Sequence, residues 1–234
     1  MSLMQLLLAS APASGIVTNG LVLHLDAGNA SSYPGSGSTW TDLSGTGNHL
    51  TLQNSPTWNS SGWFATGATG YFDRATGINM PQGNDPYTLQ AWCRRASWTA
   101  NYAGIILVGA TGTTNQSNGL VSLPTLARFS NFWWFNDLDA LNNNASLSLN
   151  TWFLVTANFD GTTRRIYANE TVVASDTPGS SHNVTSSRIR LAFSAVGYDD
   201  YWNADLAAGY IYNRALSASE ITQNFNANRG RFGL

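Results

Sequence analysis

Along much of the chain, apolar side chains recur at every second position in short runs. Polar stretches rich in Gly, Ser, Thr and Asn separate these runs. A period of two is the mark of a half-buried β-strand, and many short strands with glycine-rich punctuation predict an all-β domain. "GLVLHLDAG" and "GYFDR" read as strands. In "YTLQAWCRR", Tyr87, Leu89, Ala91 and Cys93 share one face, and Thr88, Gln90, Trp92 and Arg94 share the other. "AGIILVG" is apolar throughout, as in a strand covered on both sides. "RIRLAFSAV" places Ile189, Leu191, Phe193 and Ala195 on one face. In "SNFWWFND" the alternation sends Trp133 and Trp134 to opposite sides.

"WFLVTANF" and "RRIYAN" flank Asp160–Thr163, where Asp-Gly supplies the positive φ of a tight hairpin. One helix is predicted, in "LSASEITQNFNANRG". Ser217 is its N-cap, Glu220 completes a capping box, Ile221 and Phe225 form an apolar stripe, and Gly230 is the stop. The long polar loop "AGNASSYPGSGSTWTDLSGTGN" reads as an excursion at one end of a sandwich. The pattern therefore predicts a two-sheet antiparallel β-sandwich with one short C-terminal helix.

Composition narrows the function. Charged residues make up 10% of 234, all 11 basic residues are Arg, and the net charge is -2 with no basic run. Nothing here favours nucleic acid or an anionic membrane surface. A lone Cys93 excludes an intrachain disulfide. The apolar run at the start is too short to span a bilayer.

Four segments, in order, resemble laminin-G-like jelly rolls of the concanavalin A-like lectin/glucanase superfamily. "GLVLHLDAGNASSYPGSGSTWTDLSGTGN" resembles the opening strand and loop. "YTLQAWCRR" resembles strands reading like "FTIEAWV". "NTWFLVTANFDGTTRRIYANE" resembles "WYHVAVTYDGSTIKLYVNG", and "DLAAGYIYNRALSASEI" resembles the closing strand and capped helix. Ala208 stands where relatives often carry a Glu. The plain "YNRALS…NRGRFGL" ending is similar to domains in structural proteins of tailed bacteriophages.

Some jelly rolls of this kind resemble glucanases, whose chemistry needs two carboxyl groups facing one cleft about 5 Å apart. The chain has two glutamates, Glu170 and Glu220, and no acidic series at spacing two beyond "DLD" at Asp137 to Asp139. No G-x-S-x-G elbow is present. A non-enzymatic protein is expected. Nine Trp and nine Tyr supply rings for stacking on sugars, and the candidates are Trp202, Tyr201, Asn203 and Trp134. Relatives often hold calcium, and Asp199, Asp200 and Asp205 are the candidate oxygens for such an ion, with no committed metal site and no other cofactor.

"MSLMQLLLASAPASG" has the apolar core of a signal peptide and none of its basic residues. It is read as a retained assembly arm, residues 1–19, with Leu3, Met4, Leu6, Leu7 and Leu8 as anchors, ahead of a jelly roll over 20–234. The resemblance implies a virion structural protein of a tailed bacteriophage, in the head decoration, tail or fibre. It would be a homo-oligomer docked on other virion proteins by its arm and able to face host glycans. The alternative is an extracellular bacterial carbohydrate-binding or adhesion module.

Overall fold

The computed structural model describes residues 15–95, 102–123, 128–140, 148–179, 181–195 and 201–234. In chain order the strands are β1 (Leu21–Asp26), β2 (Thr39–Trp40), β3 (Leu50–Gln53), β4 (Thr57–Asn59), β5 (Trp63–Ala65), β6 (Tyr71–Arg74), β7 (Tyr87–Arg94) and β8 (Ala103–Gly109). They continue with β9 (Ser117–Leu123), β10 (Arg128–Phe132), β11 (Leu138–Asp139), β12 (Phe153–Phe159), β13 (Arg164–Ala168), β14 (Thr171–Asp176), β15 (Ile189–Leu191) and β16 (Asp205–Tyr212). Helix α1 (Ala218–Asn228) and a 3₁₀ turn (Arg229–Phe232) close the chain.

Two antiparallel sheets pack face to face, a sandwich of the jelly-roll kind. The first runs β14-β13-β12-β7-β16-β5-β4, with β1 also paired to β16; the second runs β11-β10-β9-β8-β15-β6-β3-β2. The inner face of the second sheet is a row set by register. Leu120 opposes Ile106, Ile106 opposes Leu191, Leu191 opposes Phe72, and Phe72 opposes Leu52. These side chains meet Leu89, Ala91 and Cys93 of β7 in the main core, the face predicted for them. The other face of β7 is buried too. Trp92 packs with Tyr210, Tyr212, Ile221 and Phe225 in a second core, between the first sheet and α1.

The predicted helix cap is present. Ser217 Oγ accepts the Glu220 amide, and the Glu220 carboxylate accepts the Ser217 amide. Glu220 also takes both Nη groups of Arg214, at 2.9 and 2.6 Å, which hold its carboxyl down at about 2. The stop differs from the expectation. The chain continues past Gly230 in the 3₁₀ turn, and Gly233, at φ 73°, is the left-handed cap. The Asp160 turn is as predicted: its Oδ1 accepts the amides of Thr162 and Thr163 at 3.0 and 2.8 Å.

Val17, assigned to the arm, is buried in the second core; its amide donates to Asn224 and its carbonyl accepts from Tyr212. Leu3, Met4, Leu6, Leu7 and Leu8 lie outside the described residues.

A buried polar chain ties the sheets together at one end. Tyr87 Oη donates to Asn131 Oδ1 and accepts from Trp133 Nε1, both at 2.8 Å. The His182 ring lies parallel on Trp133 at 3.7 Å, and the Arg164 guanidinium sits 4.0 Å from the same indole. Arg164 is fully buried and pairs in bidentate fashion with Asp176 at 3.0 and 2.6 Å. Burial pushes His182 down to about 4.

Candidate functional site

The outer face of the second sheet carries a second register row. Phe132 opposes Gly119, Gly119 opposes Leu107, Leu107 opposes Arg190, and Arg190 opposes Asp73. Each is one residue from an inward-facing neighbour, so strand alternation turns it away from the main core. The row is apolar at the β10 side, where Leu107, Val121 and Phe132 form their own cluster with Trp134 against it. It is charged at the β6 side.

At the charged side three rings converge. Phe193 and Tyr201 stack with centroids 4.5 Å apart and planes 19° from parallel. Tyr71 lies 4.9 Å from Phe193 and 6.0 Å from Tyr201. All three are half-buried. Arg188 grips Asp73 through Nε and Nη2 at 2.8 and 3.1 Å. Arg190 Nε stands 3.7 Å from the same carboxylate, is buried, and makes no hydrogen bond among the described residues. Burial first, and the charge of Arg188 second, lower the pKa of Arg190, while Asp73 works the other way. The arrangement offers a ring surface next to a desolvated cation whose nearest carboxylate is already taken. It can stack an apolar face and donate to a polar substituent.

Phe193 reaches this cluster through a backbone reversal. The alternation of "RIRLAFSAV" predicts it beside Ile189 and Leu191 in the core. Strand β15 instead stops at Leu191, and Ala192, at φ 64°, turns the chain so that Phe193 pairs with Tyr201. Tyr71, Phe193, Arg190 and Asp73 are absent from the sequence-derived candidates. The alternation of "GYFDR" places Tyr71 and Asp73 on one face, but no local signal names their partners.

The apolar side ends in a half-buried Trp134 and an exposed Phe135. Trp134 and Phe135 both adopt left-handed backbone, φ 63° and 61°, and Phe135 is 82% exposed. Bulky residues in this region carry a strain of about 1–3 kcal/mol each. Asp137 holds the turn by accepting the Trp133 amide at 2.9 Å, and the Asn136 carbonyl accepts Arg164 Nη1 at 2.7 Å. Trp134 meets Phe132 and Phe135 edge to face, each at 5.7 Å. As the alternation predicts, Trp133 is buried while Trp134 turns outward.

The remaining sequence candidates separate. Tyr201 belongs to the ring cluster and Asn203 is exposed. Trp202 does not present a face: it is 1% exposed, sits in the main core, and has the Arg95 guanidinium 4.5 Å from its ring. Its amide and carbonyl are drawn inward by the Ala192 carbonyl and the Thr66 hydroxyl, so the ring is buried where the sequence suggests an exposed sugar contact. Asp205 is held at 2.9 and 2.7 Å by Arg94, whose guanidinium lies over the rings of Trp63 and Trp152. Asp199 and Asp200 lie outside the described residues, among which no group of three or more His, Cys, Asp or Glu is placed to hold a metal. Asp139 pairs with Arg128 at 3.3 Å, and Asp137 is spent on the turn. Ala208 is buried in the second core, packed with Trp92 and Tyr210.

No curated protein sequence matches the chain. Among solved structures it is similar to a Trypanosoma rangeli sialidase in complex with sialic acid, with a TM-score of 0.65 at 16% identity over 90% of this chain and 33% of that one. It is also similar to the botulinum neurotoxin serotype D binding domain, with a TM-score of 0.66 at 15% identity over 90% and 52%. A third is the binding domain of botulinum neurotoxin DC in complex with SialylT, with a TM-score of 0.59 at 16% identity over 90% and 52%. The chain thus spans about a third of the sialidase and half of the toxin domains, and the likeness is one of fold. A laminin G family model matches residues 66–222, and the chain belongs to the family that this model describes, the concanavalin A-like lectin/glucanases superfamily.

Proposed function

We propose that this chain is a non-enzymatic, lectin-like module that binds carbohydrate on the outer face of its second sheet. One observation carries the reading: a stacked Phe193–Tyr201 pair with Tyr71 beside it, adjoining a half-buried Arg190 whose buried Nε lacks a hydrogen-bonded acceptor among the described residues. A pyranose packs its apolar face on such rings while a guanidinium donates to its oxygens. One fold neighbour is described in complex with sialic acid and another with SialylT, so sialylated glycans are the first probes. Glycan-array binding that falls at least tenfold in Tyr201→Ala and in Phe193→Ala supports the reading. An array with no bound glycan overturns it.

The setting we propose is a tailed-bacteriophage virion, with the N-terminal arm docking the module and the glycan-facing sheet turned outward. The resemblance of the closing segment supports it. Deleting residues 1–14 and scoring incorporation into purified particles tests it. Particles that incorporate the truncated protein normally count against the arm, and a particle inventory lacking the chain counts against the setting, leaving a free adhesion module.

A further inference from the structure

A cleft of about 340 Å³ opens on the other sheet, between the loop after β1 and the β4–β5 turn. Small-ligand pockets begin at about this size. Its lining includes Tyr33, Pro34, Trp58, Ser60, Ser61 and Arg231.

The cleft is built from distant parts of the chain. Arg231, in the last 3₁₀ turn, returns to Asp26, 205 residues away, with Nη1 at 2.6 Å from Oδ1, and its Nη2 donates to the Gly62 carbonyl. Trp58 Nε1 donates to the Ala27 carbonyl at 2.9 Å, which fixes the indole plane while leaving the ring half-exposed. Tyr33 stands 6.1 Å from Trp58, anchored edge-on against Phe64 at 4.8 Å and by its hydroxyl donating to the Gly37 carbonyl at 2.9 Å.

Glycine keeps the space open. A Cβ on Gly62, whose φ is 90°, would stand 2.6 Å from Arg231 Nη2, and one on Gly35 would meet the Trp58 ring at 3.0 Å. Either side chain would displace a wall of the cleft.

The lining also defines a ligand class. Arg231 is neutralised by Asp26, so the cleft has no excess charge to attract an ion. Trp58, Tyr33 and Pro34 form an apolar wall. The hydroxyls of Ser60 and Ser61 are exposed on the rim and make no hydrogen bond among the described residues, although the Ser61 amide is held by Asn59. An uncharged molecule with one apolar face and several hydroxyls satisfies all of these features at once. We infer that this cleft is a second saccharide site, shaped for one neutral pyranose ring stacked on Trp58. The inference rests on the lectin reading but uses a different sheet and different residues, so the protein would hold two sugars independently.

The test is saturation-transfer NMR on the full chain with the methyl glycosides of glucose, galactose and mannose. Ser61→Trp fills the cleft from its exposed rim, and Trp58→Phe keeps a ring while removing the indole donor. Circular dichroism of each variant establishes folding. The expected result is transfer from at least one neutral glycoside, with affinity at least tenfold weaker in folded Ser61→Trp. Transfer unaffected by Ser61→Trp but lost in Tyr201→Ala overturns the cleft and leaves the lectin reading standing. No transfer from any neutral glycoside, with sialylated glycans still bound at Tyr201, likewise overturns the cleft alone. Binding of a proline-rich peptide in place of saccharide overturns the ligand class. No saccharide binding of any kind overturns both readings.

Discussion

Arg190 Nε lies 3.7 Å from the Asp73 carboxylate, beyond hydrogen-bond range, because Arg188 already occupies both oxygens of that carboxylate. Two guanidinium groups therefore share one anion on a partly desolvated sheet face. Removing the underused cation relieves repulsion, whereas removing the shared anion leaves two cations without a partner. Arg190→Gln is expected to leave stability within about 0.5 kcal/mol of wild type, or raise it, while weakening glycan binding at least tenfold. Asp73→Asn is expected to cost about 1–3 kcal/mol. Urea denaturation beside array binding separates the two. A destabilised Arg190→Gln with intact binding would show that this residue is structural.

The turn at Trp134 and Phe135 makes a second prediction. Asparagine adopts left-handed backbone far more readily than phenylalanine. Since the Phe135 side chain is 82% exposed, little packing is lost in Phe135→Asn. The variant should be more stable by up to about 1 kcal/mol, read as a raised Tm. A fall in Tm would show that the edge-to-face contact with Trp134 outweighs the backbone strain.

Acid should weaken the fold through His182. Burial lowers its pKa from 6.5 to about 4, with the Arg164 charge acting in the same direction, and its Nδ1 has no hydrogen-bond partner among the described residues. The folded protein thus keeps the ring neutral where the unfolded chain would protonate it. Stability is full above about pH 6.5 and declines as pH falls toward 4, by up to about 3 kcal/mol. His182→Phe should flatten this part of the stability-versus-pH curve, measured by denaturant titration between pH 7 and 4. An unchanged slope would assign the acid sensitivity to other groups.

Tyr87 links two other buried polar groups. Tyr87→Phe would leave Asn131 Oδ1 without its donor and Trp133 Nε1 without its acceptor. Each orphaned group costs about 1–3 kcal/mol, so the expected loss is at least about 2 kcal/mol. Glycan binding at Tyr201 should be unaffected in the folded fraction. A loss below about 0.5 kcal/mol would mean that water replaces the hydroxyl.

Strands whose fate depends on local alternation were legible before the structure. β7, β8, the Asp160 hairpin and the Ser217–Glu220 cap are set by side-chain period, by Asp-Gly turn chemistry and by a hydroxyl–carboxylate pair three residues apart. Trp133 lies inside and Trp134 outside as expected, although the strand ends at Phe132 and Trp134 is placed by a left-handed turn. The candidate site was less legible. Tyr201 and Trp202 offer rings one residue apart, yet Tyr201 lies in the cluster and Trp202 lies in the core. Composition marks both as possible sugar contacts, but which ring faces out depends on what the neighbouring backbone binds.

The sequence by itself determined the sandwich, its capped closing helix and a surplus of aromatic rings, because each is written in contacts a few residues long. Tertiary structure alone decided the sites. A left-handed Ala192 turned Phe193 out of the core, the register across β15 and β6 set Arg190 against Asp73, and the return of Arg231 over 205 residues closed the cleft beside Trp58. Such juxtapositions follow from strand order and loop closure, which no local period encodes.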